Sequence, residues 1–132
     1  MRLKKPQNRV RSNWQKFLRY NGDALCLTGH CITQLKKRFP DFFQANSMTQ
    51  ILTTIRKAQP LFEEFTIEGL CIHVLVSEML FVIDILSGEV ITVKIPDPDA
   101  DDFPWPIKYI MLKERKWQQC RRAFKTKYRF VR

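Results

Sequence analysis

The sequence predicts an α+β fold, with N-terminal helices packed on a small antiparallel β-meander and a basic amphipathic helix at the C-terminus. Two observations predict this class. Apolar residues recur with a period of about 3.6 before Pro60, and between residues 68 and 95 they alternate or run together as in strands. Helices followed by a run of strands are typical of α+β proteins. The 132 residues, 45% of them hydrophobic, suit a single compact core.

Three helices are predicted in the first 60 residues, because a capping side chain precedes each apolar stripe. Ser12 or Asn13 can cap the first helix, and Thr28 can cap the second. Ser47 and Gln50 have the spacing of a capping box at the start of the third. The predicted helices cover residues 12–20, 28–39 and 47–58.

Residues 1–11 are basic and polar and show no apolar period. The sequence therefore predicts a flexible arm at residues 1–11 and a single domain over residues 12–132.

Three strands are predicted at residues 68–76, 79–86 and 89–95, joined by two-residue turns. These turns place His73 opposite Val82 and Asp84 opposite Ile91. One side of the meander, called the His73 face, then carries Cys71, His73, Leu75, Leu80, Val82, Asp84, Ile91, Val93 and Ile95. The other side carries Ile72, Val74, Val76, Met79, Phe81, Ile83, Ile85, Val90, Thr92 and Lys94.

Both faces are apolar enough to need cover. The second and third helices can cover one of them. Either a helix at residues 107–124 or a partner chain must cover the other.

The C-terminal third is predicted to contain an acidic, proline-rich loop at 96–106 and a basic helix and tail at 107–132. The apolar stripe of the helix, at residues 107–124, consists of Ile107, Ile110, Met111, Trp117, Cys120 and Phe124. The tail after it alternates basic and aromatic residues.

The net charge of +10 is unevenly distributed. Residues 1–38 hold ten Lys or Arg and one acid, and residues 107–132 again hold ten and one. Residues 39–106 hold three basic residues and eleven acids. Two basic ends around an acidic middle can fold onto one face that binds a polyanion, or they can simply be solvated termini.

The sequence gives no sign of a membrane segment, a disulfide framework or a metal site. Its most hydrophobic stretch is interrupted by charges, and its four cysteines show no paired spacing. Cys26, His30 and Cys31 cluster, and Cys71 lies near His73, but no second knuckle of the zinc-binding type follows. We therefore expect a cytoplasmic protein with no metal, no cofactor and no membrane partner.

The predicted register makes His73 and Asp84 diagonal neighbours on one face. Such a carboxylate would orient the imidazole and raise its pKa, as a catalytic base needs. The alternative is a structural pair, or an Asp84 that simply reaches water.

The chain lacks the Gly-rich loops and nucleophile motifs of common enzymes. The chemistry left open is metal-free cleavage of RNA, which needs a proton acceptor, an acid and cations. His30 and Arg38 lie eight residues apart on one predicted helix, about 12 Å along its axis, a spacing that suits an extended phosphate backbone. The alternative is that His30 is only a residue of the first helical turn and that Arg38 only complements the helix dipole.

A resemblance supports this chemistry. The segment Thr28-Gly-His30-Cys-Ile-Thr-Gln-Leu-Lys-Lys-Arg38-Phe resembles the opening helix of small RelE/RegB-like proteins. The segment from Phe81 to Val93 is similar to their closing hairpin. The resemblance implies helices on a small antiparallel sheet, with mRNA cleavage or its regulation. It implies His30 and Arg38 as site residues, with basic residues after the sheet holding RNA. Three predicted strands are one short of the usual four in that family.

Basic residues interleaved with aromatic ones are typical of surfaces that bind single-stranded RNA. The candidate nucleic-acid-binding residues are Lys36, Lys37, Arg115, Lys116, Arg121, Arg122, Lys125, Lys127, Tyr128 and Arg129. Three functions follow as hypotheses: an RNA-binding endoribonuclease of the RelE/RegB type, a nucleic-acid-binding module without turnover, or a regulator that binds a protein partner or a second copy through its apolar sheet face.

Overall fold

Four helices lie on one face of a five-stranded sheet. The computed structural model describes residues 6–67 and 69–96. The helices are α1 (Pro6–Asn21), α2 (Gly29–Arg38), α3 (Pro40–Ala45) and α4 (Met48–Arg56), with a 3₁₀ turn at Gly22–Ala24. The strands are β1 (Cys26–Leu27), β2 (Gln59–Thr66), β3 (Gly69–Val76), β4 (Met79–Asp84) and β5 (Glu89–Lys94).

The predicted α+β class is confirmed, but the sheet is larger than the three-stranded meander. Its strand order is β1-β5-β4-β3-β2. Strand β1 runs parallel to β5, and the other neighbours are antiparallel. The sequence pattern missed β1, which has only two residues, and β2, in which Pro60 and two adjacent glutamates hide the apolar alternation.

Helix α1 begins at Pro6, so the prediction of a flexible arm is wrong for residues 6–11. Val10 lies one turn before Trp14 and two turns before Phe17, and all three side chains are buried. Because Val10 belongs to this stripe, burying it requires the helix to extend through residues 6–11. Residues 1–5 lie outside the described part of the chain.

The predicted caps of the next helices are confirmed. The Thr28 hydroxyl accepts a hydrogen bond from Cys31 N at 3.1 Å at the start of α2. At the start of α4, Ser47 Oγ accepts from Gln50 N, and Ser47 N donates to the Gln50 side chain at 2.7 Å. Pro40 is the first residue of α3, a position that suits a residue without an N–H.

The β3–β4 hairpin has the predicted register, with His73 opposite Val82. The β4–β5 register is different from the prediction, because Asp84 pairs with Glu89 across a four-residue connection. Gly88 N closes this connection by donating to Asp84 O at 2.8 Å.

A β-bulge in β5 changes which side chains share a face. Val82 pairs with Thr92 and Ile83 pairs with Val90, so Ile91 is an extra residue. The parity of the strand therefore shifts by one, and the prediction that placed Val93 and Ile95 on the His73 face is wrong. Both residues join the helix-side core, together with Val90.

The helix-side core contains side chains from α1, α2 and α4 and from one face of the sheet. Its largest fully buried members include Phe81, Leu35, Ile51, Ile55, Ile72 and Ile83. Phe42 and Phe43 of α3 pack against the same core. On the His73 face, Cys71, His73, Leu75 and Leu80 are also buried, but they are not part of this core.

The predicted acidic loop is described only at Pro96, and the C-terminal helix and tail lie outside the described residues. Within residues 6–67 and 69–96, no helix is both long and apolar enough to cross a membrane.

Candidate nucleic-acid interface

The structure separates the two helical candidates for catalysis. His30 is the second residue of α2 and is exposed, whereas Arg38 is the last residue of the same helix. Their Cα atoms differ by about 12 Å along the helix axis. Arg38 Nη1 donates to Val93 O at 2.8 Å, so its guanidinium anchors α2 on β5.

His73 does not pair with Asp84 as the sequence predicted. Its Nε2 atom lies 3.1 Å from the Glu64 carboxylate, and the Asp84 carboxylate accepts a hydrogen bond from Leu86 N at 2.9 Å in the β4–β5 connection. Glu64 is a diagonal neighbour of His73 on β2, as Asp84 is on β4. The unrecognised strand β2 therefore supplies the actual partner.

The His73 imidazole is neutral at physiological pH. Burial, and to a smaller extent the positive charge of Lys94, lowers its pKa from the usual 6.5 to about 3. The carboxylate of Glu64 acts in the opposite direction, but it is 55% exposed and therefore well hydrated, so burial outweighs it. A carboxylate can only accept a hydrogen bond, which assigns the proton to Nε2. A ring with so low a pKa is a poor general base at neutral pH, which favours a structural role.

The cysteines do not form a site in the described residues. Cys31 and Cys71 are buried, and Cys26 is exposed. Burial raises the pKa of the Cys31 thiol to about 12, so this sulfur stays protonated and unreactive. No group of three or more potential metal ligands occurs in residues 6–67 and 69–96. Cys120 lies outside these ranges.

Charge is divided between the two layers of the fold. The helical part, residues 6–58, carries nine Lys or Arg and two acids, which gives a net charge of +7. The described sheet residues, 59–67 and 69–96, carry one lysine and five acids, which gives −4. We call the basic side chains of residues 6–58 the cationic helical layer.

Helix α1 provides the largest part of this layer. Lys16 and Tyr20 lie one turn apart on its exposed side, and Arg19 lies next to them. Tyr20 is 73% exposed, which is unusual for a ring of this size. Arg9 instead pairs with the buried carboxylate of Glu63 on β2 and helps attach the helix to the sheet.

Helix α2 adds Lys36 and Lys37, both predicted as binding residues and both exposed. The Lys36 ammonium lies 5.4 Å from the centre of the Phe43 ring, a cation–π distance that orients its side chain. Both lysines stand at the C-terminal end of α2, where the helix dipole favours positive charge.

The sequence reasoning counted the α1 cations in the basic N-terminal third but did not single them out. Their spacing of three or four residues from Lys16 to Arg19 and Tyr20 was the signal that could have found them. The remaining predicted binding residues lie outside the described part of the chain, namely Arg115, Lys116, Arg121, Arg122, Lys125, Lys127, Tyr128 and Arg129.

Compared with known proteins, the chain matches no family model, no curated protein and no solved structure.

Proposed function

We propose that this protein binds single-stranded RNA through the cationic helical layer. The observation that carries the proposal is the division of charge, with +7 on the helical part and −4 on the described sheet. Phosphate groups attract clustered Lys and Arg side chains and supply most of the sequence-independent affinity. A surface that needed charge only for solubility would not require this separation.

Tyr20 favours a single strand over a duplex. Its ring is exposed beside Lys16 and Arg19. Unpaired bases stack on exposed aromatic rings while neighbouring cations bind the backbone, whereas bases inside a duplex cannot reach such a ring. The basic residues of 107–132 extend the same proposal beyond the described residues.

Salt-dependent binding of a labelled single-stranded RNA tests the interface. We expect Lys16→Gln with Arg19→Gln, and Lys36→Gln with Lys37→Gln, each to reduce the slope of log affinity against log salt by about 1.4, because each lost phosphate contact contributes about 0.7. Lys94→Gln is the control, because it removes an exposed lysine from the sheet. Equal effects of all three variants would contradict the proposal.

Tyr20→Ala separates stacking from charge. We expect it to weaken binding by about 1 to 3 kcal/mol while leaving the salt slope unchanged. Lost affinity together with a changed slope would indicate that the substitution disturbs the helix instead.

RNA cleavage is a second candidate function and depends on His30. The residue is exposed in the same layer as Lys36 and Lys37, and the five-stranded sheet is no longer short of the four strands of RelE/RegB-like proteins. Against it, the four predicted catalytic residues do not converge. Incubation of RNA in EDTA with wild type and His30→Ala tests it: discrete fragments from wild type alone support cleavage, and intact RNA rejects it.

A protein partner is the third candidate. Phe65, Ile67 and Leu86 are at least 77% exposed, and they lie where the β2–β3 and β4–β5 connections meet at one end of the sheet. An apolar patch of this kind is typical of a protein contact. This candidate is favoured if the protein neither shifts the mobility of RNA nor cleaves it. Phe65→Ser should then abolish the oligomers or protein complexes that wild type forms.

A further inference from the structure

We propose that this protein self-associates through two different surfaces. The C-terminal half of α1 in one copy binds one end of the sheet in a second copy, at the β2–β3 and β4–β5 connections. The proposal goes beyond RNA binding and does not depend on it.

The sheet end carries an exposed apolar patch. The patch consists of Phe65, Ile67 and Leu86, each at least 77% exposed. Its members come from two connections that lie side by side, because a Cβ at Gly69 would lie 3.1 Å from Leu86 Cδ1. Large apolar side chains grouped in this way mark a surface that binds another molecule.

A row of carboxylates borders the apolar patch. Glu64 pairs with Cys71, Cys71 pairs with Asp84, and Asp84 pairs with Glu89 across four strands. None of the three carboxylate residues is buried. Asp84 and Glu89 are directly opposite each other, which is unfavourable for like charges. We call Glu64, Asp84 and Glu89 the acidic row. The sheet end therefore suits an occupant that combines an apolar side chain with positive charge, and it repels anionic lipids and nucleic acids.

Helix α1 presents this combination. Tyr20 is 73% exposed, and Lys16 and Arg19 are exposed beside it. Lys16 and Tyr20 are one turn apart, so both project from the same side of the helix. We call Lys16, Arg19 and Tyr20 the α1 cluster. Its ring can pack on the apolar patch of a second copy while its two cations pair with the acidic row.

Charge complementarity selects a second copy as the occupant. The helical part of the described chain carries +7 and the described sheet carries −4, so the helices of one copy attract the sheet of another. The whole chain carries +10, which opposes association. At 0.1 M salt, however, the Debye length is about 10 Å, so the charges that meet at the contact outweigh the distant ones.

The same α1 cluster belongs to the proposed RNA interface. If both proposals hold, RNA and a second copy compete for it. Self-association is measured on protein freed of nucleic acid, so either proposal can fail without the other.

Sedimentation velocity of the full-length protein at low salt tests the proposal. We expect the mass of wild type to rise between about 1 μM and about 1 mM, because contacts between small surfaces are weak. Lys16→Glu with Arg19→Glu (the α1 variant), and Phe65→Ser with Leu86→Ser (the sheet-end variant), should each weaken association by more than about tenfold. Met48→Ser is the control, because it removes a 42% exposed apolar side chain outside both surfaces and should change nothing. A wild type that stays monomeric at about 1 mM would overturn the proposal.

Mixing the two double variants shows which surfaces meet. The α1 variant keeps an intact sheet end, and the sheet-end variant keeps an intact α1 cluster. We expect each variant to be monomeric alone and the mixture to form a 1:1 complex. If apolar patches instead bind each other, the α1 variant still self-associates and the mixture gives no complex between the variants. That result would refute the proposal, as would a mixture that stays monomeric while wild type associates.

The 1:1 complex also shows that both variants are folded, because an unfolded chain offers neither surface. If urea unfolding shows that a double variant has lost its fold, Tyr20→Ala and Leu86→Ala take the places of the two variants in the same mixture. A complex that forms only in the mixture supports the proposal, and its absence overturns it.

Discussion

The buried histidine predicts how stability depends on pH. The pKa of His73 falls from 6.5 in the unfolded chain to about 3 in the fold. The unfolded state therefore binds a proton that the folded state excludes. Stability from this residue is complete above about pH 6.5 and is lost progressively as the pH falls towards 3. At pH 5 the loss is about 2 kcal/mol, because 1.5 pH units each correspond to 1.36 kcal/mol.

Urea unfolding at pH 7.5 and pH 5.0 measures this loss. We expect wild type to lose about 2 kcal/mol more than His73→Gln between the two conditions, because glutamine does not titrate. Comparing the two proteins removes the pH-dependent contributions that they share.

His30→Gln is the matched control, since it removes the other histidine from an exposed position. It should keep the pH dependence of wild type. The assignment of a buried neutral imidazole is wrong if His73→Gln loses as much stability as wild type on acidification. It is also wrong if His30→Gln, rather than His73→Gln, loses less stability than wild type.

Two further predictions concern the contacts that attach the 3₁₀ turn and the start of α2 to the sheet. Thr28→Val should reduce the free energy of unfolding in urea by about 1 to 2 kcal/mol. The reason is that the Thr28 hydroxyl caps α2 and lies within hydrogen-bond distance of the carbonyls of Val90 and Ile91. An unchanged urea midpoint would contradict this role. Gly88→Ala should cost more than about 1 kcal/mol, since Gly88 has φ +79° and a Cβ there would lie 2.7 Å from Ala24 O. Gly29→Ala is its control, because a Cβ at Gly29 meets nothing within 4 Å, and equal losses in the two variants would refute the steric argument.

The division of charge explains how a basic protein can tolerate an acidic sheet. Glu63 is held by Arg9 and by Asn13, whose side chain donates at 2.7 Å, so its buried charge is compensated within the fold. The described sheet residues carry one lysine, Lys94, which pairs with Leu80 at the other end of β5 from Glu89.

Local signals in the sequence determined the starts of α2 and α4 and the central strands. Thr28 and Ser47 cap their helices because a short oxygen side chain satisfies backbone N–H groups within three residues, without help from the rest of the fold. The β3–β4 hairpin follows from a two-residue turn and continuous apolar runs. The α+β class and the apolar character of both sheet faces were therefore readable from the sequence.

The tertiary structure decided what depends on distant partners. Strand β2 exists because β3 and α1 offer it hydrogen bonds and packing, although Pro60, Glu63 and Glu64 mask its pattern. Strand β2 also supplies Glu64, whose carboxylate is the hydrogen-bond partner of His73. The bulge at Ile91 moves Val93 into the helix-side core. A single extra residue of this kind cannot be recognised from the alternation of apolar residues in the sequence. The sequence alone determined how much positive charge the chain carries. Only the packing of the helices on one face of the sheet decided where that charge lies in the fold.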